Sequence, residues 1–296
     1  MTKKTKTLII IFFIYLVAIT LGIFVYVSLN LDSVILSVFI ANLAATLFIF
    51  LMGLPFQNAS LYDPYWSVIP PVITIGLSLL WGRFLDIEVI LLNLPLLIWA
   101  IRLTYNWATL WTDFSHQDWR YTLIKKQTKK LWPLSNFFAI HFFPTVIVYV
   151  QLIGAITYIQ YAQGISWIAL VGFVCIVFAT YIQYRADHQM QTFKKEHPNQ
   201  VMNQGLWSVS RHPNYLGEVS VWVGVYLFYV SLRQPIDLHI FAPIAMLALF
   251  VFISIPLMEK RQLASKPSYK AYMYQVSMLL PLPPKTRELK DQKETL

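Results

Sequence analysis

Eight long apolar runs, separated by short polar loops, constrain this chain more than any other feature of its sequence. Several exceed the roughly 18 residues that a helix needs to cross the hydrocarbon of a bilayer. Only 12% of the residues are charged and 57% are hydrophobic, so we predict an all-α bundle of about eight transmembrane helices. The predicted spans cover residues 8–29, 34–53, 67–82, 87–108, 136–158, 165–184, 214–232 and 238–257.

The first two spans contain little that identifies a function. No small-residue cleavage site follows the first run, so we interpret it as a retained span and not as a signal peptide. Asn42, within the second span, is expected to hydrogen-bond to a neighbouring helix. Asp63, in the loop that follows, precedes a proline and is interpreted as an ordinary turn residue.

The distribution of lysine and arginine predicts the orientation of the spans. If the N-terminus with Lys3, Lys4 and Lys6 is cytoplasmic, eight spans place the C-terminus on the same side. Only Arg83 and Arg233 of the 23 basic residues then lie on the far side, as the positive-inside rule requires. The net charge of +9 is therefore a topology signal, and no nucleic-acid partner is needed to explain it.

The run at 205–218, with sequence GLWSVSRHPNYLGE, is the densest group of polar and aromatic residues in the chain. The proline of its Arg-His-Pro triplet, at 211–213, suits the first turn of a helix. Asn214 and Glu218 then share one helical face with Trp222. The arginine and histidine lie just before the helix N-terminus, where free N–H groups favour an anion. The pattern predicts a site for a phosphate or carboxylate, although these cations could simply mark the lipid headgroup level.

Four further polar clusters lie at predicted cytoplasmic ends of spans. Each cluster contains charged or amide side chains, which either recur at helical spacing or lie among aromatic residues. Such groups of polar side chains are unusual in so apolar a chain. A solvated helix face is the alternative for the third cluster, and the basic run at 125–130 is interpreted as a solvated, lipid-facing patch. Their common location predicts one site open to the cytosol. The clusters contain Arg102 and Asn106; Asp118 and Arg120; Gln183, Asp187, Gln191 and Lys194; and Glu259, Arg261 and Tyr272.

The residue inventory disfavours several chemistries. The six histidines show no pairing at i, i+3 or i, i+4, which argues against a di-iron oxygenase within the membrane. No two glycines form G-x-G and no G-x-S-x-G is present, so a Rossmann fingerprint, a P-loop and a nucleophile elbow are absent from the sequence. The single cysteine, Cys175, excludes an intrachain disulfide and a cysteine metal site. We predict no metal, and a bound nucleotide would have to lie among helix ends.

The motif Ser-Arg-His-Pro-Asn-Tyr-x-Gly-Glu at 210–218, taken with these clusters, resembles the steroid 5-alpha-reductase-like superfamily. The closer likeness is to its bacterial branch, membrane proteins filed as a domain of unknown function, over roughly residues 60–284. The resemblance implies a single membrane-embedded reductase-like domain at 1–284, a charged tail at 285–296, and a location in the bacterial cytoplasmic membrane with the site facing the cytosol. It also implies NADPH as cofactor and a lipid-soluble substrate.

The resemblance also implies roles for individual residues. In the superfamily the asparagine and the acidic residue of the motif line an NADPH pocket, together with polar residues of the preceding helix. The cofactor-binding residues that we expect are Arg102, Asn106, Asp118, Arg120, Gln183, Asp187, Lys194, Ser210, Arg211, His212, Asn214, Glu259, Arg261 and Tyr272. Hydride addition to a conjugated alkene needs a group that polarises the carbonyl oxygen and a proton donor. The expected catalytic residues are Tyr215, Glu218 and Tyr105.

Two other functions remain open. Isoprenylcysteine and phospholipid methyltransferases also resemble the Arg-His-Pro-x-Tyr pattern, where it belongs to an S-adenosylmethionine site, and Glu259 suits that function. A non-enzymatic membrane component is the third possibility. The polar stripe at 183–194 and the Asp-Trp-Arg-Tyr run at 118–121 favour the reductase. Steroid reductases proper lack the Arg-His-Pro triplet, so the substrate stays open among steroid, isoprenoid and unsaturated acyl types.

Overall fold

The computed structural model describes residues 1–232 and 237–285, and in these ranges it contains helices and no strand. Arg233 and residues 286–296 of the predicted tail lie outside the described residues. The α-helices of the described ranges are α1 (Lys3–Ser28), α2 (Val34–Gly53), α3 (Tyr65–Leu80), α4 (Ile87–Leu110), α5 (Trp119–Thr128), α6 (Trp132–Ser135), α7 (Phe143–Tyr161), α8 (Trp167–Glu196), α9 (Pro213–Val230), α10 (Phe241–Leu249), α11 (Ile255–Ser265) and α12 (Tyr269–Gln275).

The prediction of a helical membrane protein is confirmed. Within the described residues, six helical stretches are long and apolar enough to cross a membrane: Lys3–Ser28, Val34–Gly53, Ile87–Leu110, Trp119–Tyr161, Trp167–Glu196 and Leu238–Ser265. The other two predicted spans correspond to α3, with 16 residues, and to α9, with 18 residues that include the end of the polar motif. The count of eight spans and the cytoplasmic position of both termini stay predictions.

The chain divides into two compact units. The first unit consists of Met1–Phe173 and Gly224–Ala242, and the second unit consists of Val174–Val223 and Pro243–Leu296. The single domain expected over residues 1–284 stays a prediction.

In the first unit, α1, α2 and α3 pack around a core that includes Ile11, Ile49 and Ile69. Buried hydroxyl groups in this core have hydrogen-bond acceptors, as burial in an apolar interior requires. The Tyr65 hydroxyl donates to Oδ1 of Asn42 over 2.7 Å. The interhelical hydrogen bond expected of Asn42 is therefore confirmed.

In the second unit, the chain after the last long helix folds back onto the polar motif. The N–H of Arg211 donates to the carbonyl of Ser277 over 2.9 Å, and the N–H of Leu282 donates to the carbonyl of Val209 over 3.1 Å. These two bonds hold the segment after α12 along the loop that precedes α9. The helix α9 begins at Pro213, as its sequence predicts.

Candidate functional site

The loop before α9 is fixed by a small buried polar residue. Ser210 is buried, and its hydroxyl donates to the carbonyl of Leu279 over 2.8 Å. The same oxygen accepts the N–H of His212 over 3.2 Å. Because one hydroxyl makes both bonds, Ser210 links the start of α9 to the segment after α12.

Arg211 is largely buried, with 8% of its surface exposed. Its Nε donates to Oε1 of Glu259 over 2.7 Å, and one terminal nitrogen donates to the carbonyls of Met273 over 2.9 Å and Val276 over 2.5 Å. A buried guanidinium is tolerated only when its donors are paired in this way. These contacts give Arg211 an anchoring role, while its expected role as a phosphate ligand stays a prediction.

His212 shares the carboxylate of Glu259 with Arg211. Its Nε2 lies 3.1 Å from Oε1 of Glu259, so Nε2 carries the proton and donates. The imidazole ring stacks on the Tyr215 ring, with centroids 5.3 Å apart and an interplanar angle of 8°. Tyr215 also contacts Phe250, with centroids 4.7 Å apart. The ring of Tyr215 is thus held in position, while its role as proton donor stays a prediction.

Glu218 is the buried carboxylate of α9, with 6% of its surface exposed. Its Oε2 accepts Nε2 of Gln183 over 3.0 Å, and its Oε1 accepts Nε1 of Trp222 over 3.1 Å. Each oxygen therefore has an N–H donor, as a buried carboxylate requires. The expected neighbours Gln183 and Glu218 are brought together by the structure.

A glycine allows α8 and α9 to approach this closely. A Cβ atom at Gly217 would lie 2.4 Å from Cγ of Gln183 and 2.9 Å from the carbonyl oxygen of Ala179. No other residue type fits without a shift of α8. Gly217 thereby allows the bond between Gln183 and Glu218.

A second pair joins the same two helices one turn nearer the loop. Nδ2 of Asn214 donates to Oδ1 of Asp187 over 3.3 Å, and both side chains are half-buried. The indole of Trp207 donates to the carbonyl of Ala186 over 3.1 Å and so fixes the loop before α9 against α8. The polar stripe of α8 and the polar face of α9, predicted separately from the sequence, therefore face each other.

Cations lie at the exposed margin of this arrangement. Lys194 and Arg261 are exposed, and both Lys266 and Arg261 lie close enough to Lys194 for electrostatic repulsion. Asp187 acts on Lys194 with the opposite sign. Lys266 was not among the residues expected from the sequence, because no local pattern places it beside α8. Clustered cations of this kind suit a phosphate group.

Tyr272 has a structural contact in the second unit. It is buried, and its hydroxyl donates to the carbonyl of Trp207 over 2.5 Å. Burial raises the pKa of Tyr272 far above its usual value. The hydroxyl therefore stays protonated and supports the loop, and a contact of Tyr272 with a cofactor stays a prediction.

The remaining expected residues belong to the first unit. Arg102 and Asn106 are half-buried on α4, whereas Tyr105 is 70% exposed. Asp118 caps α5 by accepting the N–H of Arg120 over 2.8 Å, and it also pairs with Nε of Arg120 over 2.9 Å. The expected roles of these five residues in cofactor binding or catalysis stay predictions.

The sequence interpretation missed an acidic group in the first unit. The Tyr121 hydroxyl donates to Oδ1 of Asp63 over 2.5 Å. Burial is the main cause that raises the pKa of Asp63 from 3.8 to about 7, and the Asp118 carboxylate acts in the same direction. Asp63 is therefore more than the ordinary turn residue that its proline neighbour suggests. The aromatic residues on both sides of it were the available signal.

The first unit also contains an apolar cavity of about 340 Å³ between α1, α2 and α3. Its lining runs from Ala18 on α1 to Leu80 on α3, and the side-chain polar groups come from Tyr26, Asn42 and Tyr65. A concave, mostly apolar space with few polar groups is typical of a small-molecule site. In the described ranges, no group of three or more histidine, cysteine, aspartate or glutamate side chains could hold a metal ion.

The fold and the polar site define a helical membrane protein whose motif is packed against the preceding long helix. The chain belongs to the family DUF1295, described as a protein of unknown function, whose model matches residues 49–276. It is similar to the uncharacterized protein C594.04c of Schizosaccharomyces pombe, with 25% identity over 258 residues, 76% of this chain and 73% of that protein. No solved structure matches the chain.

Proposed function

We propose that the protein is a membrane-embedded, NADPH-dependent reductase of an activated C=C bond in a lipid-soluble molecule. The observation that supports this most directly is the pairing between α8 and α9. Gln183 with Glu218, and Asp187 with Asn214, are residues that the resemblance to steroid 5-alpha-reductase-like proteins assigns to a cofactor pocket. We place the protein in the bacterial cytoplasmic membrane, with this site on the cytosolic side.

The residues of the second unit suit a dinucleotide with phosphate groups. The exposed Lys194 and Arg261, with the half-buried Lys266 beside them, would hold phosphates, since they form a group of cations. Asn214 and Asp187 would hold a ribose or the nicotinamide through their amide and carboxylate. When bound, NADPH supplies the hydride. Arg211 and His212 would position the pocket by fixing Glu259 and the segment after α12.

The chain must also provide the proton that completes the reduction. Tyr215 is our candidate, because His212 and Phe250 hold its ring beside the polar face of α9. A phenol in a fixed position can donate a hydrogen bond to a substrate oxygen and then a proton. Tyr105 is a less suitable donor, since a side chain that is 70% exposed is not held in one geometry.

The first unit contains a separate apolar cavity that suits a lipid-soluble molecule. Its walls are apolar along α1, α2 and α3, and Asn42 and Tyr65 already hydrogen-bond to each other. A ligand there would be recognised chiefly by its apolar surface. In the predicted orientation the cavity lies toward the far-side ends of these helices, so the substrate class, an enone, isoprenoid or unsaturated acyl compound, rests on the resemblance.

The methyltransferase alternative depends on Glu259, because a sulfonium cofactor is best held by a free carboxylate. Oε1 of Glu259 already accepts from Arg211 and His212. The carboxylate is thus neutralised within the protein, which disfavours that function. The methyltransferase alternative also gives no role to the exposed cations Lys194 on α8 and Arg261 on α11.

A binding experiment separates these functions. Full-length protein in detergent micelles would be titrated with NADPH and with S-adenosylmethionine, using the intrinsic tryptophan fluorescence. We expect NADPH to bind and Arg261→Gln to weaken it about 10- to 100-fold, since a charged hydrogen bond contributes about 1.5–3 kcal/mol. Lys260→Gln removes the same charge from the neighbouring exposed position of α11 and should change little. Binding of S-adenosylmethionine alone would overturn the proposal.

A further inference from the structure

A bend rich in lysine separates α5 from the helix that leads into α7. Its exposed lysines are Lys125 and Lys126, at the end of α5, and Lys129 and Lys130, in the turn that follows. No aspartate or glutamate occurs in the sequence between Asp118 and Asp187. We call residues 125–130 the basic bend. Its positive charge is therefore not balanced by the segment that carries it.

The basic bend has a defined conformation. Lys129 has a φ of 47°, which reverses the chain directly after α5. The Ser135 hydroxyl donates to Oγ1 of Thr128 over 2.9 Å, so α6 lies beside the end of α5. Nζ of Lys125 lies 5.7 Å from the centroid of the Trp132 ring, within cation–π distance. The lysines are thus displayed on a folded turn and not on a free loop.

An exposed apolar stripe begins where the basic bend ends. Leu131, Leu134 and Phe138, which lie in the turn, in α6 and in the π-helical segment that follows, are all exposed large apolar side chains. The stripe continues along the π-helical segment Asn136–Phe142 toward α7. Basic side chains beside an apolar face, with a tryptophan between them, are typical of a helix at the membrane interface.

We propose that the basic bend binds the headgroup of an anionic glycerophospholipid, while Leu131, Leu134 and Phe138 contact its acyl chains. Four clustered lysines attract an anionic lipid surface electrostatically. A soluble phosphate would contact the cations alone, whereas a phospholipid also contacts the apolar side chains beside them. This lipid site belongs to the first unit and does not depend on the proposed reductase activity.

The test measures lipid binding to full-length protein in a nonionic detergent by native mass spectrometry. Phosphatidylglycerol is the anionic probe, and phosphatidylcholine is the zwitterionic control. Replacing the four lysines with glutamine should weaken phosphatidylglycerol binding by at least tenfold, since each lysine near an anionic surface contributes a factor of about five. Phosphatidylcholine binding should change little. Replacing the same lysines with arginine should preserve the preference for phosphatidylglycerol.

A matched variant removes the same charge elsewhere, at the exposed positions Lys6, Lys195, Lys270 and Lys285. An equal loss in this variant would show that net charge decides lipid binding, and the proposed site would be wrong. Displacement of phosphatidylglycerol by inorganic phosphate would also overturn it, because the site would then bind a free anion. If the fourfold variant does not fold, the double variant Lys129→Gln with Lys130→Gln replaces it. This double variant should show a smaller loss of phosphatidylglycerol binding.

Discussion

Gly217→Ala is the substitution whose effect the structure predicts most directly. The added methyl group would lie 2.4 Å from Cγ of Gln183 and 2.9 Å from the carbonyl oxygen of Ala179. Overpacking costs about 1–3 kcal/mol, and the lost bond from Gln183 to the Glu218 carboxylate costs about 1.5–3 kcal/mol. The higher helix propensity of alanine returns about 1 kcal/mol. We therefore expect a net loss of about 1.5–5 kcal/mol in the free energy of unfolding.

The assay is thermal unfolding of the full-length protein in detergent, combined with an NADPH titration. The loss corresponds to a melting temperature lower by roughly 3–20 °C for a protein of this size, and NADPH should bind more weakly because Glu218 shifts. Gly76→Ala is the matched control, because a Cβ atom at Gly76 on α3 meets no heavy atom within 4 Å. It should leave the melting temperature unchanged or slightly higher. Equal melting of the two variants would refute the close approach of α8 and α9.

Three further predictions concern catalysis, pH and topology. Tyr215→Phe should lower turnover by roughly 10²–10⁴-fold with little change in NADPH affinity, and unchanged turnover would place the proton donor elsewhere. The pKa of Asp63 is about 7 in the folded protein, above its ordinary 3.8, so the folded state keeps a proton that the unfolded chain loses. Stability should therefore fall as pH rises from about 4 to about 7. Asp63→Asn should remove this part of the pH dependence of the melting temperature. An unaltered pH dependence in this variant would contradict the raised pKa of Asp63. Reporter fusions in the four loops expected to face outward should all report the outside, and a cytoplasmic signal from any of them would overturn the eight-span layout; the fusion positions are 30–33, 83–86, 160–164 and 233–237.

The helices could be predicted from the sequence because hydrophobic runs and their length decide where a chain can cross a membrane. The sixth span was predicted to end at residue 184, and the helical spacing of the polar stripe at 183–194 predicted that the helix continues beyond it. The structure agrees, because α8 extends to Glu196. The stripe itself was visible in the sequence, but its packing partner was not.

The candidate site shows the same division between local and tertiary information. Pro213 at the start of α9 and the common face of Asn214 and Glu218 follow from local rules, and the structure confirms both. The contacts of Arg211 do not follow, because Glu259 is 48 positions away in the sequence. A cation before a helix N-terminus predicts a bound anion. In this protein the carboxylate of Glu259 is the anion that Arg211 contacts.

The residues of the motif at 210–218 therefore divide by what they contact. Ser210 and Arg211 bind backbone carbonyls of α12 and of the segment after it, and Arg211 and His212 pair with Glu259 of α11. Gly217 sets the distance between α8 and α9.

Asn214 and Glu218 face α8, where the polar stripe lies. The first half of the motif stabilises the fold, so its presence alone does not distinguish a reductase from a methyltransferase. In the proposed function the cations at 194, 261 and 266 bind the phosphates of the cofactor, so substituting these cations should change ligand preference without unfolding the protein.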